Sequence, residues 1–289
     1  MRTRAAVAVI ILLAITLTGC GKSKKSSASS SGSTTSTAPA AVTTMDITAK
    51  EYTFDGPNSV AEGYVKVNLN DVGKEDHQAQ FLRLQDGKTL QDFAAAAQGD
   101  PTGLKALALT DGGGGVNVIK AGGTESGVNK LRAGNWVMVC FVPAPDGIPH
   151  IAKGMVRPFV VTPPPSSAAA PTSTASVSAK NFSFTIPTLK SGKQTVEFKN
   201  TSTDQVHEMT LVKLAAGKTY ADAQAWIAKP AGPPPFESAG GAPGIGPGDT
   251  AWADVDFTPG TYIALCHVPD PKTGKEHAAL GMVQQFTVT

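Results

Sequence analysis

The sequence predicts an all-β protein of two tandem β-sandwiches, each interrupted by one short helix. Three observations carry that expectation. The chain repeats itself: AKEYTF (49–54) matches AKNFSF (179–184) at an offset of 130, where Asn70 also falls on Asn200, His77 on His207 and Leu84 on Leu214. Towards the end of each copy the offset is 126 to 127, pairing Trp136 with Tyr262, Cys140 with Cys266, His150 with His277, Met155 with Met282 and Phe159 with Phe286. Short apolar runs bounded by Gly or Pro recur in both copies, as a sandwich requires. Finally, each copy has one helix-start signal, Thr89-x-x-Asp92 or Thr219-x-x-Asp222, ahead of LQDFAAAAQ or YADAQAWIA.

Taken in order, residues 1–4 are basic and residues 5–17 are apolar or small, a run too short and wrongly flanked for a stable membrane span. It ends in Leu17-Thr18-Gly19-Cys20, which resembles the lipobox of bacterial lipoproteins. That resemblance implies removal of residues 1–19, acylation of Cys20, and a cell-membrane, lipid-anchored, extracytoplasmic location. Residues 21–44 are rich in Ser, Thr and Ala and read as a disordered tether, unable to bury enough apolar surface to offset ordering entropy. The first sandwich is expected over 45–162 and the second over 175–289, with the Pro/Ala/Ser stretch 163–174 as linker. In these units VKVNLN (65–70) and TVEFKN (195–200) alternate with period two. MTLVKL (209–214), WVMVCFV (136–142), TYIALCHV (261–268) and FTVT (286–289) are rich in β-formers. DGGGGVNV (111–118) lacks the Gly-Lys-Ser/Thr ending of a phosphate loop and reads as an ordinary loop. So does GPPPFESAGGAPGIGPGD (232–249), a candidate cover for a site.

The formal net charge is +2, but Arg2, Arg4, Lys22, Lys24 and Lys25 all lie in the leader and tether. The remainder carries about −3, which excludes a basic surface for nucleic acid. No G-x-S-x-G elbow supports a hydrolase. Of three cysteines, Cys140 and Cys266 occupy matching places in the two copies and are expected within their own units rather than in a disulfide.

Each copy places a Cys, a His and a Met around one loop, and a further His at the head of a distant strand. His77 stands 63 residues before Cys140, and His207 stands 59 before Cys266. A thiolate and two imidazoles with a weak thioether form the donor set of a type 1 copper centre. Four of the five histidines fill these positions, leaving only His267. PGTYIALC (259–266) followed by HAALGMVQQFTV (277–288) resembles the carboxy-terminal half of the cupredoxins, most closely the plastocyanin-like blue-copper proteins. The resemblance implies two cupredoxin-like Greek-key β-sandwich domains. Its ligand set would be His77, Cys140, His150 and Met155 in the first copy, and His207, Cys266, His277 and Met282 in the second.

Two features differ from the family pattern. Nine or ten residues separate Cys from the second His, against the family's two to four, and are expected to loop outward at small entropic cost. Gln78 and Glu208 stand where the family often has Asn. His267 resembles the Cys-His pair of multicopper oxidases, but the H-x-H pairs those enzymes need are missing, so a solvated loop histidine is expected. The functional expectation is a membrane-anchored copper protein passing electrons by outer-sphere contact through one or two type 1 sites. It is no enzyme, takes no small-molecule substrate, and has the membrane and a redox protein as partners. The competing readings are a metal-free cupredoxin-like interaction module on the cell surface, or copper storage and delivery.

Overall fold

The structure, a computed structural model, describes residues 42–98, 100 and 103–289. The lipobox, Cys20 and most of the tether lie outside the described residues. Strand β1 (Thr43–Lys50) begins inside the stretch expected to be tether, because Thr43 and Thr44 already pair with Val65 and Lys66 of β4 (Gly63–Asp71).

The first sandwich has two layers. One holds β2 (Thr53–Asp55), β1, β4 and β7 (Thr124–Leu131); the other holds β3 (Ser59–Ala61), β9 (Val156–Thr162), β8 (Gly134–Val139), β5 (His77–Leu84) and β6 (Thr110–Ile119), in those spatial orders. The chain crosses repeatedly between layers, as Greek-key connections do. In the second sandwich one layer is β11 (Ser183–Thr185), β10 (Ala175–Lys180), β12 (Gly192–Asn200) and β15 (Thr250–Phe257). The other is β14 (Phe236–Ile245), β13 (His207–Leu214), β16 (Gly260–Leu265) and β17 (Val283–Val288). The fold is therefore the cupredoxin-like pair of β-sandwiches the sequence predicts.

Period-two patterning explains the cores. Val65, Val67 and Leu69 of β4 point inward with Met45 and Ile47 of β1, against Phe81, Trp136 and Phe159 of the facing layer. Strand β5, however, is buried at every position, on both faces. Its outward residues Leu82 and Leu84 join Val137, Val139 and Phe93 beneath the helix α1 (Leu90–Ala97). Burying Phe93 there contributes about 2–3 kcal/mol. Both expected capping boxes form, at Thr89/Asp92 and at Thr219/Asp222 ahead of α3 (Tyr220–Ala228). One further turn of helix, α2 (Leu104–Leu107), is present in the first sandwich.

Of the two glycine-rich stretches expected to be loops, 111–118 lies within strand β6, and residues 236–245 of 232–249 form β14. They face each other between the sandwiches, and their last residues Ile119 and Ile245 pair with His77 and His207. Glycine is required there by close approach: a Cβ on Gly113 would lie 2.0 Å from the carbonyl oxygen of Gly244. Across this seam Gln80 Nε2 donates to the Gly244 carbonyl (2.9 Å) and the Gly244 N–H donates back to Gln80 Oε1 (2.8 Å). Asn117 Nδ2 donates to the Ala242 carbonyl at 2.7 Å. Strands β7 and β15 also pair antiparallel, Ala253 opposite Gly127, which joins two layers into one eight-stranded sheet.

Candidate metal centre

Each group of donors is assembled at one end of a sandwich. His77 and His207 head β5 and β13, where the pairing with β6 and β14 shifts register immediately after the histidine. Such a bulge re-aims a side chain, and it allows both His77 and Gln78 to be buried. Cys140 and Cys266 lie one residue beyond the ends of β8 and β16. The Gln78 N–H donates to Cys140 Sγ (3.4 Å), and the Glu208 N–H donates to Cys266 Sγ (3.5 Å). Both contacts come from the backbone, so they do not depend on which side chain stands at 78 or 208.

The long spacing from Cys to the second His is absorbed by a small hairpin on each side. Pro143 bridges to Pro149 and Pro269 to Glu276. At the base of each, the His150 N–H donates to the Val142 carbonyl and the His277 N–H to the Val268 carbonyl, both at 2.9 Å. The extra residues therefore loop outward and leave the ligand end of the loop short. Met155 and Met282 follow, wholly buried, with N–H groups donating to the carbonyls of His150 (3.0 Å) and His277 (2.9 Å).

The donors converge. Nδ1 of His77 lies 3.1 Å from Nδ1 of His150, and Cys140 Sγ lies 3.9 and 3.4 Å from the two nitrogens. In the second sandwich His207 and His277 present Nδ1 to Nδ1 at 3.1 Å, with Cys266 Sγ at 4.0 and 3.4 Å. A circle through the three donor atoms has a radius of about 2 Å in each case, the length of a metal–imidazole bond. All six side chains are buried. Two nitrogens and a sulfur turned to one point, with no carboxylate among them, suit a soft or borderline metal rather than calcium or magnesium. Both groups fit type 1 copper sites.

Burial sets the protonation states. It holds His77, His207 and His277 below the usual histidine range, His207 down to about 4, with the facing imidazole adding to the effect at His77 and His207. Burial also pushes the Cys140 thiol up to about 12 and raises that of Cys266. His77, His207 and His277 are therefore neutral and ready to bind, whereas each thiol needs a cation to become thiolate.

Several surrounding side chains went unnoticed in the sequence. Tyr52 meets the His150 ring edge-on at 5.1 Å, and Phe182 meets His277 at 4.8 Å. Both rings stand on left-handed backbone, φ 60° and 62°, rare for bulky residues and costing about 1–3 kcal/mol each. The match of AKEYTF with AKNFSF was the available signal. Glu75 Oε2 lies 2.9 Å from His150 Nε2, and Ser202 Oγ lies 2.8 Å from His207 Nε2. His267 stays outside the donor group, half-exposed as expected, with Nδ1 2.8 Å from Glu276 Oε2. Cys140 and Cys266 are both free cysteines.

No protein-family model matches the chain, and no curated protein sequence matches it. Among solved structures it is similar to a dithionite-reduced auracyanin from the photosynthetic bacterium Roseiflexus castenholzii, at 25% identity and a TM-score of 0.28, over 40% of this chain and 95% of that one. It is also similar to a multicopper oxidase (16% identity, TM-score 0.26, 85% of this chain and 88% of that one). A copper nitrite reductase from Nitrosomonas europaea matches at 15% identity and a TM-score of 0.25, over 86% of this chain and 94% of that one. These TM-scores are low, and what each site can hold follows from its own side chains.

Proposed function

We propose that this protein is an extracytoplasmic electron carrier with a type 1 copper site in each sandwich, tethered to a membrane through Cys20 and exchanging electrons with a redox protein. The observation that carries the reading is the convergence of Nδ1, Nδ1 and Sγ on a circle of metal-bond radius, twice in one chain. His77, Cys140 and His150, with Met155 as the weak fourth donor, would hold the first copper; His207, Cys266, His277 and Met282 would hold the second. Bound copper supplies a one-electron couple. The chain contributes rigidity: each Cys is fixed by its strand end and by an N–H on its sulfur, and each second His by a hairpin base. Tyr52 and Phe182 pack on the second histidines, which are wholly buried. This keeps water from the donors, an arrangement that suits electron transfer.

The test is to load the fully reduced protein with Cu(II). An intense visible thiolate-to-copper band is expected, reduced in part by Cys140→Ser and in part by Cys266→Ser, and abolished by both together. Copper bound only as Cu(I), without a band, would favour storage or delivery instead. No tight copper would favour a metal-free interaction module. The anchor rests on the lipobox-like Leu17-Thr18-Gly19-Cys20. Expressed with its leader, the protein should fractionate with membranes and Cys20→Ser should release it; a Cys20→Ser protein equally membrane-bound would refute lipidation.

A further inference from the structure

The two sites share their donors but differ in what stands behind them. In the first sandwich His150 Nε2 lies 2.9 Å from Glu75 Oε2, and the Tyr52 hydroxyl donates to the other Glu75 oxygen at 3.4 Å. Two residues before the strand histidine, where the first sandwich has Glu75, the second has Gln205, in a loop one residue longer that also carries Asp204, and Phe182 stands in place of Tyr52. There His277 Nε2 is buried without a partner, and Gln205 Oε1 is too. Because Nδ1 of each imidazole faces the other donors, a metal-binding ring carries its proton on Nε2. In the first site that proton is donated to a carboxylate. In the second, the side chain in the matching place is a neutral amide.

A carboxylate accepting from the far side of a ligand imidazole raises the ring's basicity and adds negative charge, and both favour the more positive oxidation state of the metal. Resting on the copper reading above, we propose that the two sites stand at different reduction potentials, the first sandwich's being the lower, with Glu75 as the positioning residue that sets the difference. A one-electron donor that reduces one Cu(II) to Cu(I) loses one electron and no atoms move. At equilibrium that electron rests on the second sandwich's site.

Other charges face both sites. Asp71, buried near His77, acts in the same sense as Glu75, and the neutral Asn200 stands in its place in the second copy. Glu208 opposes it, standing beside Cys266 where the first copy has Gln78. Its Oε1 accepts the backbone N–H of His267 at 2.7 Å, however, and not a ligand ring. Asp270, near His277, has Oδ1 within 3.4 Å of Gln205 Nε2 and Oδ2 accepting from Thr273. Among the charged side chains of the described residues, Glu75 is the one within hydrogen-bond distance of a candidate ligand ring.

The test is a mediated redox titration of the copper-loaded full chain, following the thiolate band. Two waves are expected in the wild type. Cys266→Ser, which leaves the first site, should bleach at the lower potential, and Cys140→Ser at the higher. Glu75→Gln should move only the lower wave, upward, and Gln205→Glu should move only the upper wave, downward. Competition with Cu(I) and Cu(II) chelators reads the same order without using the band: the ratio of Cu(I) to Cu(II) dissociation constants should be larger at the first site. Coincident or inverted potentials, or waves unmoved by Glu75→Gln and Gln205→Glu, would overturn the proposal and leave the copper reading standing. A copper-loaded wild type with no band at all would overturn that reading, and this proposal with it.

Discussion

At Cys140, packing and metal chemistry pull in opposite directions on one atom. Burial pushes the thiol up to about 12, so the metal-free protein keeps it protonated at neutral pH. A bound cation reverses that preference and expels the proton. In the second sandwich the imidazoles contribute no such release near neutrality, since burial holds both below the usual histidine range, His207 down to about 4. Copper loading of Cys140→Ser protein, which keeps that site, should therefore release about one proton per metal bound in a weakly buffered sample at pH 7. Apparent affinity should rise with pH until the thiol's raised range is reached; proton-free uptake would show that the sulfur is not a donor. The histidines and cysteines that the fold brings together were legible in the sequence, because both residue types are scarce and recur at fixed offsets. Glu75 was not, because a carboxylate in a short polar loop reads as solvated until the fold sets an imidazole against it. Tyr52 and Phe182 were hidden for another reason: nothing in the residue type announces a left-handed backbone.

Among the elements, β6 and β14 departed furthest from expectation. A run of glycines has no side chains to display period two, so GGGG reads as a loop in sequence although it hydrogen-bonds as a strand. The physical cause is the seam, where backbones approach too closely for a Cβ. The same absence creates room for a charged group. Glu125 of β7 packs against Gly240 of β14, where a Cβ would lie 2.0 Å from the carboxylate. Burial there pushes Glu125 up to about 7. A carboxyl raised in the folded state binds more protons than its unfolded counterpart between about pH 4.5 and pH 7. Its contribution is complete below that window and fades as pH rises through it. Glu125→Gln should remove this component, so that its melting temperature falls less than the wild type's between pH 5 and pH 8. Parallel pH profiles for the two proteins would show that Glu125 is not held protonated by the fold. The helices, by contrast, were readable in advance, because a capping box is a local signal that tertiary packing left undisturbed.

In the whole molecule, duplication extends to the way the halves join. Gly127 and Ala253 are equivalent positions at an offset of 126 and lie opposite each other, so β7 and β15 meet about a local two-fold axis. An interface between like strands is self-complementary. A chain cut to residues 175–289 exposes the edge of β15 and should pair with its own copy; sedimentation would find a dimer, and a strict monomer would mean the edge is not an adhesive one. The repeat made two sandwiches predictable, yet the shared sheet was not, since the pairing of β7 with β15 leaves no pattern that either strand lacks alone. What the molecule does rests on two buried donor groups of metal-binding dimensions. Copper stoichiometry measured together with the visible spectrum, on full-length protein whose thiols are reduced before it is loaded with Cu(II), tests that most directly. The account expects two coppers per chain and an intense thiolate charge-transfer band to which Cys140 and Cys266 both contribute. Protein that retains no copper, or whose copper gives no such band, would contradict it.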